Sequence, residues 1–330
     1  MAFDNIRLEK GLYTTGKSFT AALEELDPSE NYKGTVLEGL DAYERQLKRF
    51  DIKVSGKKSD CVSKFFSTVD SAALFPEYIS RAVKSGLDAN TVVQDVVATV
   101  TEIDSLDYRS IKTDFGPYDT ELSEIREGSV FSELVVKVSD ELTRLKKHGK
   151  MLTASYEAIK FQKLDLFTTI LKQIGSRIAV SQFEQALSVL NPNAENMITI
   201  KDRAITYDDL INLWVTLEPY KMTTMIAGRG AYKTILTMPE FRDSFAGLDF
   251  HGTGDIVTPF GAKLLVSESI EDNGICVLDK NYAVEMVQAG GVVTEFDKLI
   301  DRQIERATIS AITGFSPIYN DAVAAVISGE

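Results

Sequence analysis

The sequence predicts a mixed α+β fold with an elongated subunit, and three observations carry that prediction. A helical stripe runs over residues 155–190, far longer than a small domain is wide. A polar hairpin spans 107–135 with almost no apolar content of its own. From residue 208 onward, short helical and strand patterns alternate to the end of the chain. At 330 residues the length suggests roughly two compact units.

Composition excludes several classes. The content of 44% hydrophobic and 26% charged residues is that of an ordinary folded protein. No window holds the ~18 uninterrupted apolar residues of a membrane helix, and the start MAFDNIRLEKG has no apolar signal core. The expectation is a protein made and folded in the cytosol without an export address. Cys61 and Cys276 lie far apart and outside any C-x-x-C spacing, so neither a disulfide framework nor a zinc ribbon is available; both read as buried, inert thiols. A net charge of −13 and a pI near 4.8 argue against a dedicated nucleic-acid groove, which needs clustered Lys and Arg. A wall that encloses DNA without gripping it tolerates this balance, as do acidic enzymes.

Taken in order, residues 1–60 read as an extended arm with short helices, because apolar positions are sparse and Gly11, Gly16, Pro28, Gly34, Gly39 and Gly56 interrupt them. Within them Phe19 to Leu26 reads as one helix, and Leu37, Leu40, Tyr43, Leu47 and Phe50 recur at spacings of three and four and mark another. A further helix starts at Pro76, with proline in the first turn and Gly86 near its end. Over 91–155 the period shifts towards two, with β-branched runs at 91–100 and 134–138 around the polar hairpin, whose turn signals are Gly116-Pro117 and Glu127-Gly128. The outgoing half is acidic and the returning half carries Lys137, Arg144, Lys146, Lys147 and Lys150; opposite charges on facing strands favour pairing by ~0.2–1 kcal/mol each. The long stripe then runs from Ser155 as N-cap through Ile159, Phe161, Leu164, Phe167, Leu171, Ile178 and Phe183 to Leu190, where Asn191-Pro192 ends it; unbroken, it would measure ~54 Å, with Gly175 a place to bend. After it come a helix at 208–217, a strand at 222–227, a helix near 230–236, a strand at 263–267, a strand pair over 275–287, strands at 292–300 and 307–312, and a closing apolar run in YNDAVAAVI.

The residues that might carry chemistry are few. Gly11, Gly16, Lys17 and Ser18 in GLYTTGKS satisfy the phosphate-loop pattern, but such a loop needs a buried strand before it, and FDNIRLEK is too charged to be one. Asp279 after Ile275 imitates a magnesium-binding strand end, as any apolar run before Asp does. His148 lies among lysines and His251 in HGTGD, which reads as a flexible loop; no neighbours complete a metal set around either. Asp208 and Asp209 read as acid at a helix start. Gly228-Arg229-Gly230 lacks the third glycine of a dinucleotide loop. No G-x-S-x-G elbow occurs. Trp214, between Leu210, Ile211 and Leu217, reads as core. The residues thus offer no catalytic, cofactor-binding or metal site, and the chain is expected not to be an enzyme.

The order of segments resembles the major capsid proteins of tailed bacteriophages with the Hong Kong 97-type fold. KVSDELTRLKKHGKMLTASYEAIKFQKLDLFTTILKQIGSRIAVSQFEQAL looks like the strand entering that fold's spine helix. TYDDLINLWVTL and MTTMIAGRGAYKTI are similar to helix and strand of its axial domain. TPFGAKLLVSESIEDNGICVLDKNYAVEMVQAGG and IERATISAITGFSPIYNDAVAAVI look like the strands that return to the peripheral domain, and LEELDPSENYKGTVLEGLDAYERQLKRFDIKVSG is worded like the start of phage relatives.

The resemblance implies an N-terminal arm at 1–65, a first part of the peripheral domain at 66–106, an E-loop hairpin tip at 107–135, the peripheral domain with its spine helix at 136–200, an axial domain at 201–290 and a return to the peripheral domain at 291–330. It implies a structural subunit that self-assembles into pentamers and hexamers of an icosahedral head around double-stranded DNA, in the virion, after assembly in the host cytoplasm. Implied partners are the chain itself, a separate scaffolding protein with the arm retained, a portal and a decoration protein; no membrane is implied. Some relatives cross-link a hairpin lysine to a neighbour's asparagine; Lys112 is the lysine of the polar hairpin, and no partner for it is identified. An encapsulin-type nanocompartment shell is the alternative, which the long arm disfavours, and a nucleotide-binding enzyme through residues 11–18 is the third reading.

Overall fold

The computed structural model describes residues 2–13, 18–113, 127, 136–155, 157, 161–201, 203–242, 256–299 and 301–329. In chain order the helices are α1 (Phe19–Leu26), α2 (Ala42–Arg49), α3 (Val69–Ala72) and α4 (Phe75–Asp88). Strands β1 (Val97–Glu102), β2 (Asp107–Tyr108), β3 (Ile111–Thr113), β4 (Val136–Val138), β5 (Thr143–Arg144) and β6 (Lys146–Ser155) precede the long helix α5 (Leu164–Ser188). Then follow β7 (Met197–Lys201), α6 (Tyr207–Thr216), β8 (Thr224–Ala227), α7 (Arg229–Thr237), α8 (Pro239–Arg242), β9 (Lys263–Val266), β10 (Ile275–Leu278), β11 (Val284–Gln288), β12 (Val293–Leu299), β13 (Ile304–Pro317) and β14 (Val323–Gly329). The chain divides into two compact units, one of Met1–Thr91, His148–Ala179 and Gly291–Ala311, the other of Val92–Lys147, Val180–Gly290 and Ile312–Glu330.

In the first unit, α4 lies against α5 because two glycines remove the side chains that would hold them apart. A Cβ on Gly86 would overlap the Lys172 backbone, and one on Gly175 would overlap the Val83 carbonyl and lie 2.7 Å from the Leu87 nitrogen. Gly175 lies inside the unbroken helix, where its missing side chain lets the neighbour in. Around that contact Phe65, Phe75, Tyr78 and Phe167 stack with ring centroids 5.3 to 6.3 Å apart. The helix is shorter than its sequence stripe: Ser155 ends β6 instead of capping α5, and Phe161 is 72% exposed. Its 25 residues span ~37 Å.

The described part of residues 1–65 is not an extended arm. Leu8, Phe19, Leu23, Tyr43, Leu47 and Ile52 are buried in one core with α4 and the first half of α5. Two polar networks hold this region. The Arg45 guanidinium, fully buried, donates to the Asp27 carboxylate at 2.7 Å and to the carbonyls of Asp27 and Leu40, and lies over the Tyr32 ring. Arg81 of α4 pairs with Asp41 at 2.7 Å and Glu77 at 3.0 Å and lies over Tyr43, while Tyr13 donates to the Ala73 carbonyl. Apolar counting along the chain misses this fold because these apolar residues are sparse in sequence; tyrosine and arginine stems add to the burial. In the same unit β12 pairs antiparallel with the first half of β13, which also pairs with β6, and Ala307 and Ile309 of β13 join the same core.

In the second unit a five-stranded sheet runs in the order β7-β14-β10-β8-β9. Strands β8 and β10 are buried along their whole length. Met225, Ala227, Ile275 and Val277 face one cluster with Leu210, Leu213 and Ile235 of α6 and α7, while Ile226, Cys276 and Leu278 face another with Phe183 and Leu187 of α5. Burial on both faces explains the unalternated runs TMIA and ICVL. A second sheet joins β1 to β11 in parallel and β11 to the end of β13 antiparallel. Strands β10 and β11 are thus no hairpin: they lie in different sheets. Trp214, expected in the core, is 51% exposed, because on α6 the buried positions are Asp209, Leu210 and Leu213.

In an exposed helix Gly→Ala stabilises by up to ~1 kcal/mol. At Gly175 the opposite sign is expected: Gly175→Ala should destabilise by about 1–3 kcal/mol through overpacking, read as a lower denaturation midpoint.

Candidate assembly surface

The described ends of the polar hairpin pair as the sequence implies. Asp107 and Tyr108 lie opposite Arg144 and Thr143, and Ile111, Lys112 and Thr113 opposite Val138, Lys137 and Val136. Ser139 and Leu145 add backbone bonds to the carbonyls of Ser110 and Leu106, at 2.7 and 3.1 Å. Apart from Glu127, residues 114–135 lie outside the described residues.

A two-stranded ribbon cannot bury its own faces. Here it is tied down by one acid. Glu285 sits on β11 within the apolar run VEMV and is only 7% exposed. Its carboxylate accepts hydrogen bonds from Thr101 Oγ1 of β1 at 2.6 Å, Tyr108 Oη at 3.0 Å and Ser110 Oγ at 2.6 Å. Three hydroxyl donors from two neighbouring segments satisfy the buried acid. Burial, and after it the bond to Glu285, raises the Tyr108 phenol above its ordinary pKa. Sequence reading did not single out Glu285, although a lone charge inside an apolar strand is itself the signal.

Beside this anchor the ribbon keeps apolar side chains in solvent. Leu106, Ile111, Val136 and Val138 are all exposed, as is Val100 on β1. A run of exposed β-branched residues on a sheet margin is the mark of a surface that meets another protein.

The other residues singled out from the sequence take the following places where they are described. Residues Lys10–Tyr13 form a 3-10 turn, and Ser18 caps α1 by accepting from the Ala21 nitrogen; the part of the phosphate-loop pattern between them lies outside the described residues, and no strand precedes it among those described. Asp279 accepts from the Lys221 and Asn281 nitrogens, both at 3.0 Å, and so shapes a turn. Asp209 closes a capping box with Thr206, and the Arg203 guanidinium beside it holds its carboxyl down at about 2. Gly228 sits where a Cβ would overlap the Glu271 carbonyl, and Gly230 lies against the side chains of Asp272 and Asn273. Burial pushes the Cys276 thiol up to about 12, whereas Cys61 is partly exposed. His148 lies on β6 and His251 outside the described residues; among the latter no group of three His, Cys, Asp or Glu is placed to hold a metal. The Lys112 backbone sits in β3 opposite Lys137.

No protein-family model and no curated protein matches this sequence. Solved structures do. A virus-like particle from Pyrococcus furiosus aligns over 76% of this chain and 98% of its own, with a TM-score of 0.53 and 12% identity. The capsid of a native GTA particle aligns over 73% and 91%, at 0.53 and 13%, and Microbacterium phage Oxtober96 over 70% and 90%, at 0.50 and 10%. The chain has the Hong Kong 97-type capsid fold. At these identities the likeness is one of fold, and it spans nearly the whole of the structures matched.

Glu285→Ala would leave those three hydroxyls without their acceptor, and for the buried Ser110 a lost partner costs about 1–3 kcal/mol, less for the partly exposed Thr101 and Tyr108. Glu285→Ala is therefore expected to lower chemical stability clearly more than Glu285→Gln, which keeps an acceptor. Equal stability of both variants and the parent chain would show that the anchor is not used.

Proposed function

We propose that this chain is a structural major capsid protein, a non-enzymatic subunit that self-assembles into pentamers and hexamers and encloses phage double-stranded DNA in an icosahedral head. The observation that carries the reading is the match of fold over 90 to 98% of the length of chains from a virus-like particle, a GTA capsid and a phage. The exposed apolar ribbon anchored at Glu285 supports it, since a shell subunit needs surfaces that only neighbours cover. So does the charge of −13, which suits a wall whose DNA is neutralised by its own counterions. In this reading residues 1–65 are an amino-terminal segment whose described part packs on α4 and α5, and residues 66–106, 107–135, 136–200, 201–290 and 291–330 serve as peripheral domain, E-loop, spine-bearing peripheral domain, axial domain and peripheral return. A scaffolding protein and a portal would act during assembly in the host cytoplasm, with a decoration protein on the finished virion.

Sedimentation velocity of the purified chain, alone and with co-expressed scaffold, tests the proposal. Above a threshold concentration, species of five or six chains or far larger particles are expected at the expense of the monomer. A monomer or dimer that persists at high concentration with scaffold present would overturn the shell reading.

A further inference from the structure

The second unit carries an open groove of about 850 Å³ beside α6. One wall is aromatic: Phe260 stacks with Tyr207 and with Trp214, at centroid distances of 5.4 and 6.2 Å. Tyr207, Ile211, Trp214 and Val215 recur at helical spacing along α6, apart from the buried Leu210, Leu213 and Leu217. Trp214 and Val215 are both more than half exposed, so α6 has a second apolar stripe that the core does not cover. On the rim Lys263 is held by Asp95 at 2.7 Å, whereas Lys221 and Lys280 are exposed and enter no ion pair among the described residues. Glu218 is the one other acid of the lining. An occupant that suits this groove offers an apolar side chain flanked by acids.

The same unit presents that chemistry at another place. From the end of β1 to the start of β2 the chain reads EIDSLD, Glu102 to Asp107, and forms a knuckle at the root of the ribbon. Its path is fixed: the Ile103 nitrogen donates to the Gln288 carbonyl at 3.0 Å, the Leu145 nitrogen to the Leu106 carbonyl at 3.1 Å, and Ser105 Oγ to the Asp107 carbonyl at 2.7 Å. Leu106 stands 59% exposed on it, with Asp104 and Asp107 exposed on either side and in no ion pair among the described residues. The knuckle does not line its own chain's groove. Strand β1, extended from Val97 to Glu102 and paired with β11, puts ~17 Å of rigid backbone between it and Asp95 of the groove.

We infer that the knuckle of one copy docks in the Trp214 groove of the next, with Leu106 against the indole and Asp104 and Asp107 beside Lys221 and Lys280. A ring of identical subunits is held by heterologous contacts, in which two different surfaces of the same chain complement each other. Charge selects this pairing over its alternatives: knuckle on knuckle brings aspartates together, groove on groove brings lysines together, and only knuckle in groove sets opposite charges face to face. Both surfaces belong to the second unit. The inference rests on the shell reading above and adds to it a contact that joins neighbours.

Trp214 is the chain's only tryptophan, so its fluorescence reports the groove directly. On assembly of the parent chain, Trp214 emission should move to shorter wavelength and acrylamide quenching should fall several-fold relative to dilute subunits. Reversing either surface, by Asp104→Lys with Asp107→Lys or by Lys221→Glu with Lys280→Glu, changes only exposed side chains; each variant, shown to be folded by circular dichroism, should keep Trp214 as quenchable as in the dilute parent. All four substitutions in one chain set opposite charges face to face again and should restore the shielding. Shielding that is complete in dilute subunits, unchanged by either reversal, or not recovered in the combined variant would overturn the inference. Parent particles that form while Trp214 stays freely quenchable would overturn it and leave the shell reading standing. A parent chain that never assembles would overturn both.

Discussion

Helices α4 and α5 meet backbone to backbone at Gly86 and Gly175, and the first unit is arranged around that contact. No side chain fits between the two axes there, so the rings of Phe75, Tyr78 and Phe167 come into stacking range and the described part of residues 1–65 gains an apolar surface to fold on. A closely packed interior transmits such a constraint, because a methylene added at one point must displace neighbours that are already in contact. The buried Arg45 and Asp27 pair then fixes the path of the amino-terminal region. A paired charge of this kind adds little net stability but penalises every other placement of that segment.

The second unit solves a different problem. Its strands β8 and β10 are covered on both faces, so the exposed apolar side chains of this unit lie elsewhere, among them those of the hairpin, β1 and α6. At the hairpin, Glu285 holds a thin ribbon in place by hydroxyl donors and leaves its β-branched side chains outward. On α6 Trp214 and Val215 are exposed, near Lys221 and Lys280, which enter no ion pair among the described residues. A chain that placed this much apolar surface on display with no partner would be prone to aggregate; in a subunit whose neighbours are copies of itself, the same surface is covered.

Much of this was legible in the sequence where periodicity was strong. The strands TMIA and ICVL, the helix beginning near Pro76 and the pairing of the hairpin's ends follow from apolar spacing and turn residues. The failures have physical causes. The stripe over 155–190 overshoots because Phe161 continues its spacing yet faces solvent, so period alone cannot tell where packing stops. Trp214 sits beside core positions of α6, and a half-turn of helix separates buried from exposed. The amino-terminal region reads as an arm because its apolar residues are sparse along the chain, although Leu8, Phe19, Leu23, Leu47 and Ile52 come together with the buried Tyr43 and Arg45. Gly175 reads as a hinge because a sequence does not show what lies against a helix.

Electron microscopy of the purified full-length chain, with and without scaffold, tests the central claim most directly. Closed shells, tubes or five- and six-membered rings are the predicted result. A field of uniformly small particles at high concentration with scaffold present would contradict it.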